Sequence, residues 1–372
     1  MPSVLADVFS WSLLGLPAFL FVITFVIFFH ELGHFAVARF FGVTVEAFSI
    51  GFGRELFGWT DRLGTRWKLC LLPLGGYVKF AGDANAASQP DEEEMRDMTP
   101  AQRAGVLHYK PLYQRALVVA AGPIANFILG ILIFAGVFMI LGKPSEPPVV
   151  NDVLADSAAA DVGLQQGDII RFIDGETIAT YADLQAVIGP SPGKELRLGI
   201  ERAGEPLEIL VTPNTVEQDL PNGETVTIGR LGITNAAVPV GPVEAVQRGV
   251  GQTWMMVTGT MSYLGQMITG QASPDQLAGP LGIAKISGDV AAQGFLYLVN
   301  LAGILSISIG LINLFPIPVL DGGHLLYYGF EAVRGRPLGE RAQEVGYRLG
   351  LVLVLSLMLL ATFNDLVRFN LF

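Results

Sequence analysis

The chain has 372 residues, 51% of them hydrophobic and only 15% charged, with a formal net charge of −11. Soluble domains average about a quarter charged residues, so the composition rules out a disordered chain and argues against an ordinary soluble globule. The acidic balance argues against nucleic-acid partners, which call for a basic face, and the lone cysteine, Cys70, leaves no internal disulfide and no Cys-rich zinc site.

Five stretches carry no charge: 8–30, 116–142, 249–274, 290–320 and 349–364. A bilayer core of ~30 Å needs roughly 20 apolar residues in a helix. The first stretch predicts a span over about 11–34. Its N-terminal flank holds no Lys or Arg, so it lacks the basic region of a cleavable signal peptide. Next comes a loop, 41–112, in which residues 43–50 alternate as a β-strand that offers an edge to an extended peptide. A second span is expected at about 115–142.

Residues 148–237 then switch to short alternating segments with turns at Asp174-Gly175, Ser191-Pro192-Gly193, Ala203-Gly204 and Asn222-Gly223. Residues 181–188 read as a short helix. The segment 240–292 contains the Thr-, Ser- and Gly-containing run 249–274, read as an amphipathic helix on the outer membrane face rather than a span. A third span is expected at about 294–316 and a fourth at about 347–368.

Basic residues set orientation. The region 41–115 holds nine Lys and Arg and 325–348 holds four, whereas 143–237 holds six against fifteen acids. The N-terminus therefore reads as outside, 41–115 as inside, the insert as outside, 325–348 as inside and the C-terminus as outside. The fold class is a polytopic α-helical membrane protein of about four spans, with a membrane-associated β-rich inner loop and an inserted domain. Its parts are 1–142, 148–237, 240–292 and 293–372.

His30-Glu31-Leu32-Gly33-His34 is an HExxH pattern. Histidines four apart share one helical face and are able to bind one zinc, and the adjacent Glu is placed to take a proton from the attacking water. The competing reading is a pair of core histidines at helical spacing. Ionisable groups at membrane depth are costly, which favours function. Catalytic zinc generally takes three protein ligands. Asp321 ends the uncharged stretch 290–320, after Pro316 and Pro318 break the helix and before Gly322-Gly323. Spans one and three run in the same direction, which brings Asp321 to the depth of His30 and His34. His324 is the alternative ligand or a supporting partner, and His108 reads as an interfacial loop residue.

Two motifs together, HELGH and Asn313-Leu314-Phe315-Pro316-Ile317-Pro318-Val319-Leu320-Asp321-Gly322, resemble the site-2 proteases, the intramembrane zinc metalloproteases of the RseP type. Gly51-Phe52-Gly53, the run 73–79, Ala121-Gly122-Pro123 through Asn126 and Phe127, and Gly279-Pro280-Leu281-Gly282 also match that family, so the resemblance covers nearly the whole chain. It implies Zn2+ held by His30, His34 and Asp321, and Glu31 as general base. It also implies that Asn313, Pro316, Pro318, Gly51 and Gly53 bind substrate, with helix–helix contact as the plainer role of Asn313. Residues 160–175 resemble PDZ domains of bacterial periplasmic proteases, and the length of the insert suits one such domain. The implied partners are single-pass transmembrane substrates such as anti-sigma factors or signal-peptide remnants, the lipid bilayer, and a peptide or C-terminal tail at the PDZ groove. The implied location is the bacterial inner membrane, with the PDZ domain periplasmic and the active site near the cytoplasmic side. Three other readings compete: a PDZ membrane scaffold or chaperone, a membrane-tethered zincin with another third ligand, and a metal transporter.

Overall fold

The computed structural model describes residues 2–83, 92–219, 225–273 and 278–369. The chain opens with α1 (Pro2–Phe40), an apolar helix containing Pro17. A ribbon follows, β1 (Val45–Thr60) and β2 (Arg66–Phe80). Short turns come next, α2 (Glu92–Asp97), α3 (Pro100–Arg103) and a 3-10 turn at Leu107–Tyr109, before α4 (Leu112–Leu141).

The insert holds β3 (Lys143–Pro144), β4 (Val150–Val153), α5 (Ala158–Asp161), β5 (Ile169–Ile173), β6 (Glu176–Thr177) and α6 (Tyr181–Ile188). It continues with β7 (Leu196–Arg202), β8 (Glu205–Val211), β9 (Asn214–Asp219), β10 (Thr225–Arg230), β11 (Ile233–Asn235) and β12 (Ala237–Val238). The remainder is helical: α7 (Pro242–Ile268), α8 (Pro280–Gln293), α9 (Phe295–Asn313), α10 (Asp321–Arg334) and α11 (Glu340–Arg368).

Among the described residues, four helical stretches are long and apolar enough to cross a membrane: Leu14–Phe40, Leu112–Leu141, Phe295–Asn313 and Arg341–Arg368. They correspond to the four expected spans. Two boundaries differ from the sequence reading. The first helix continues to Phe40, so the HExxH pattern lies within it rather than at its end. Asp321 begins a further helix, α10, between the third and fourth expected spans. The α7 helix is not among the four stretches, and Trp254, Met255 and Val250 on it are exposed.

The chain divides into two units, 1–134 with 248–372 and 135–247. In the first, the β1–β2 ribbon doubles back on itself. Ala47 lies opposite both Lys79 and Arg66, Phe48 opposite Val78 and Trp67, and Ile50 opposite Gly76 and Leu69. Glu55 lies opposite Cys70, and Trp59 opposite Trp67. Four limbs therefore lie side by side in the order 76–80, 45–50, 66–70, 55–60. This corrects the expectation that 43–50 offers an edge: 45–50 has a partner limb on each side, and the edge limbs are 76–80 and 55–60. The bend between the limbs of β1 needs Gly51, whose φ of 84° is left-handed and whose missing Cβ would stand 2.6 Å from the Leu72 carbonyl oxygen. Phe48, Val45, Val78 and Phe80 bury the ribbon against Ala38 of α1 and Val118 of α4.

Small residues set the approach of the long helices. A Cβ on Gly33 would meet the Ala121 carbonyl oxygen at 2.3 Å, and one on Gly310 would meet Asn126 Cβ at 3.0 Å. Ser306 donates to the Asn126 carbonyl at 2.8 Å. Asp365 of α11 is fully buried and accepts from the backbone N–H groups of Gly279 (3.0 Å) and Gly282 (2.8 Å) at the start of α8. Those are donors that the first turn of a helix leaves unpaired, and Gly279 itself supplies no side-chain cap.

In the second unit, the strands order β6-β5-β7-β8 around a core of Ile170, Ile173, Leu198 and Ile200. The β7–β8 hairpin turns on Ala203 and Gly204, both at positive φ, which matches the twist of the strands. Residues 181–188 form the expected short helix, started by a capping box between Thr180 and Asp183. Asp168 is buried and gripped by Arg202 at 2.7 and 2.8 Å. Desolvation opposes its charge, but the bond from Arg202, the Gln165 N–H and the guanidinium charge outweigh it and hold the carboxyl below the usual carboxylate range.

Candidate metal centre

His30 and His34 stand one turn apart on α1 and point the same way, with their Nε2 atoms 3.2 Å apart. The break at Pro316 and Pro318 turns the chain after α9 and delivers Asp321 as the first residue of α10. Its Oδ2 lies 3.1 Å from His30 Nε2 and its Oδ1 lies 3.5 Å from His34 Nε2. These three side chains are the one group with metal-ligand geometry among the described residues, with all donor atoms within 4.8 Å of one another. Val319, two residues earlier, has a φ of 117°. Such strain in a β-branched residue persists only where the surroundings enforce it. Gly322 permits the turn, since a Cβ there would meet the carbonyl oxygens of Leu314 and Phe315 at 2.3 Å.

The hydrogen bonds of the rings decide whether a cation fits. His34 donates from Nδ1 to the Val118 carbonyl at 2.8 Å, which leaves Nε2 as a lone pair. The side-chain amide of Asn126 lies 3.2 Å from His30 Nδ1, and its oxygen is buried without a partner. A half-turn of that amide lets its oxygen accept the Nδ1 proton and frees the second Nε2. Two lone pairs and a carboxylate then face one point, and Asp321 Oδ2 has no hydrogen-bond donor. Tetrahedral zinc with Zn–N of 2.0–2.1 Å places its nitrogens roughly 3.3 Å apart, close to the 3.2 Å seen here. Room is kept by Gly122 of α4. A Cβ on it would stand 2.3 Å from His34 Nε2 and 2.9 Å from His30 Cε1, inside the space the ligand atoms share. The residues present fit zinc.

Glu31 lies beside the histidines against the edge limb of β2. The Val78 backbone hydrogen-bonds its carboxylate, and Gly76 faces its Cγ at 3.5 Å. A cavity of about 220 Å³ joins these groups and is also lined by Asn313, Val319, His108, His324 and Tyr328. Of the residues expected to bind substrate, Asn313 reaches this cavity. Pro316, Pro318, Gly51 and Gly53 do not line it: Pro318 packs on Gly346 and Gly350 of α11, and the two glycines shape the bend in β1. His324 lines the cavity without joining the ligand group.

Sequence reasoning did not single out Asn126, Val118 or Gly122 as parts of the site. The signal was the Ala121-Gly122-Pro123 run with Asn126 three residues on, visible as a match but without a role. His108, on the 3-10 turn before α4, also lines the cavity, 3.2 Å from the buried carboxylate of Asp83. Arg115 at the start of α4 grips Glu331 of α10 through both guanidinium nitrogens and lies over the Tyr328 ring, which ties α10 to α4 beside the cavity.

Comparison with known proteins agrees with the geometry. Residues 18–357 match the family described as peptidase family M50. A Rhizobium meliloti protein named "Putative zinc metalloprotease R01501" is 46% identical over 94% of this chain and 96% of its own length. Metalloprotease MmpA of Caulobacter vibrioides is 39% identical over 97% of both chains. Among solved structures, the PDZ domain of the SdrC-like protein from Listeria innocua is similar at 19% identity, with a TM-score of 0.21, covering 25% of this chain and 97% of that domain. The chain belongs to peptidase family M50 and is a zinc metalloprotease with helices fit to span a membrane.

Proposed function

We propose that the protein hydrolyses a peptide bond inside the transmembrane segment of single-span membrane proteins, in regulated intramembrane proteolysis. The observation that carries this reading is the position of the ligand group: His30, Glu31 and His34 lie on a candidate span, and Asp321 follows another by a short break.

His30, His34 and Asp321 hold the metal. When bound, zinc lowers the pKa of its water to about 7 and polarises the scissile carbonyl. Glu31 takes a proton from the attacking water and returns it to the leaving amine. Its carboxylate is oriented for this by the Val78 backbone. Asn126 and Val118 fix the ring faces of His30 and His34, so the ligand atoms need not reorganise. A helical peptide bond is protected by its own hydrogen bonds, so the substrate must unwind. The edge limb 76–80, whose registered partners lie on β1 alone, lies beside Glu31 and suits a strand added by the unwound segment. Exposed Phe57, Trp59, Leu63 and Leu71 on the ribbon suit a membrane surrounding.

The chain lies in the bacterial inner membrane, with residues 41–115 on the cytoplasmic side and the insert in the periplasm. Residues 148–237 form a single PDZ domain that takes a peptide or C-terminal tail, and α7 rests on the outer face. Substrates of the kind expected are anti-sigma factors already shortened outside and signal-peptide remnants. The test compares the parent with Glu31→Gln in lipid vesicles, measuring bound zinc and cleavage of a single-span substrate. Zinc retained with cleavage lost is the expected outcome. Equal cleavage by both proteins would overturn the assignment of Glu31. Failure of the parent to cut within the span, while it cuts a soluble peptide, would overturn the intramembrane reading.

A further inference from the structure

Asp321 stands at the start of a helix that no apolar core secures. Among the described residues of α10, only Gly322 and Gly323 are buried. Leu326, Phe330 and Val333 share one face of the helix and are exposed. The opposite face carries Asp321, His324, Tyr328 and Glu331, at spacings of three, four and three residues. The first three of these line the cavity beside the histidines. Tyr327 rests on Gly346 of α11. The far end of the polar face is held by Arg115 of α4.

Every nitrogen of the Arg115 guanidinium is committed. Nη1 donates to Glu331 Oε2 at 3.1 Å, Nη2 donates to Oε1, and Nε donates to the Lys110 carbonyl at 3.2 Å. The group also lies 5.0 Å from the centre of the Tyr328 ring. Only 14% of the Arg115 side chain and 17% of the Glu331 side chain are exposed. A two-pronged pair so shielded is directional and holds geometry, unlike an ion pair in open water. Arg115 shares its face of α4 with Gly122 and Asn126, which clear and support the histidine rings. One helix thus holds the rings along its length and Glu331 at its start.

Ten residues separate Asp321 from Glu331, about 15 Å of helix. A tilt of α10 by about 10° at its paired glycines carries Glu331 roughly 2.5 Å away from Arg115. The same tilt moves the Asp321 carboxylate, about 3 Å from the pivot, by about 0.5 Å, beyond the ~0.2 Å that metal ligands tolerate. The pair therefore closes at the tilt that seats Asp321.

We propose that Arg115, through Glu331, is a positioning residue for the metal centre: it fixes the tilt of α10 and so seats the Asp321 carboxylate opposite His30 and His34. The inference rests on the assignment of those three residues as zinc ligands. In this role Arg115 touches neither metal nor substrate, and the sign of its effect is distinctive. Through its field alone, a cation near the site repels zinc, and removing it would tighten binding. Through its grip on Glu331 the effect is opposite: removing it frees α10 and weakens binding.

The experiment uses the full chain in detergent and measures zinc affinity against a chelator. It compares the parent with Arg115→Gln, Glu331→Gln, the pair of substitutions together, and Asp321→Ala with and without Arg115→Gln. Arg115→Gln should lower zinc affinity by about 10-fold or more, the low end of what loss of a supporting partner costs a metal site. Glu331→Gln should lower it similarly, and the double variant should be no worse than either single one, because both act through one contact. In the Asp321→Ala chain, whose zinc is left to two histidines, adding Arg115→Gln should change nothing. If Arg115→Gln fails to fold, the near-isosteric Glu331→Gln carries the same comparison, alone and on Asp321→Ala. Arg115→Lys keeps the charge but not the fork, and should lose affinity as Arg115→Gln does. Parental or tighter zinc binding by Arg115→Gln overturns the proposal. So does an equal loss in the Asp321→Ala chain, which would make the pair a general support of the bundle. Asp321→Ala that binds zinc as the parent does would overturn the ligand assignment itself, and the proposal with it.

Discussion

Replacing Gly122 with alanine is a sharp test of how the metal centre is built. The new methyl group would stand 2.3 Å from His34 Nε2, 2.6 Å from His34 Cε1 and 2.9 Å from His30 Cε1, where ordinary contact begins at 3.4 Å. Relief requires the His34 ring to retreat by about 1 Å, because the helices cannot part easily: Gly33 is already in contact with the Ala121 carbonyl. Metal ligands tolerate displacements of only about 0.2 Å. The retreat also breaks the 2.8 Å bond to Val118 that holds the ring tautomer. Loss of a supporting partner alone costs about 10–100-fold in metal affinity, so zinc affinity should fall by at least about 100-fold, with cleavage falling in step. Zinc per chain by mass spectrometry, titrated against a chelator, measures this. The control lies on the same helix. Gly136 has nothing within 4 Å of its absent Cβ, so Gly136→Ala should keep zinc and gain about 0.5–1 kcal/mol from helix propensity. A Gly122→Ala protein that binds one zinc with parental affinity would refute the close approach and the fit argued from it.

Two further predictions concern stability. Asp365→Ala removes the acceptor for two buried N–H groups at the start of α8, which costs about 1–3 kcal/mol for each donor left unsatisfied. Asp365→Asn retains one acceptor and should recover part of the loss in thermal unfolding, whereas equal loss in both variants would point to the charge instead. For Asp168, the folded carboxyl is held below its unfolded value of about 3.9. Its contribution is therefore present above that value and is lost as pH falls through the lower, folded one. Protection factors of amides in the insert of the full chain, with the intrinsic pH dependence of exchange removed, should fall as pH drops from about 5 to about 3. Asp168→Asn should flatten that dependence while speeding exchange at neutral pH, and an unchanged pH dependence would show that Arg202 does not hold the carboxyl charge.

The three side chains of the candidate metal centre were legible because their signals are local. HELGH places two imidazoles by helical periodicity alone, and Pro316 and Pro318 announce the break that frees Asp321. Charge-free length sufficed for the four long apolar helices, and Ala203-Gly204 for the β7–β8 hairpin of the insert; the expected turn at Asn222-Gly223 lies outside the described residues. What escaped depends on which helix meets which. Asn126 is an ordinary polar residue in an apolar stretch until α4 crosses α1 and sets its amide at His30. Gly122 looks like helix-loosening glycine until its missing Cβ is seen to clear two rings. The alternation of 43–50 identified a strand but not its neighbours, because pairing on both sides follows from the bend at Gly51 and from a partner strand that folds back. His108 gave no signal, since its partner Asp83 lies 25 residues earlier in the chain.

The cap on α8 also has a bearing on the order of assembly. Asp365 follows Gly279 and Gly282 by 86 and 83 residues. During synthesis the ribosome therefore releases α8, α9 and the Asp321 turn well before the acceptor for the first amides of α8 exists. Until α11 docks, the first turn of α8 lacks its acceptor and the segment leading into α9 lacks that anchor. A nascent chain that has emerged only as far as Asp321 is thus still short of a finished bundle.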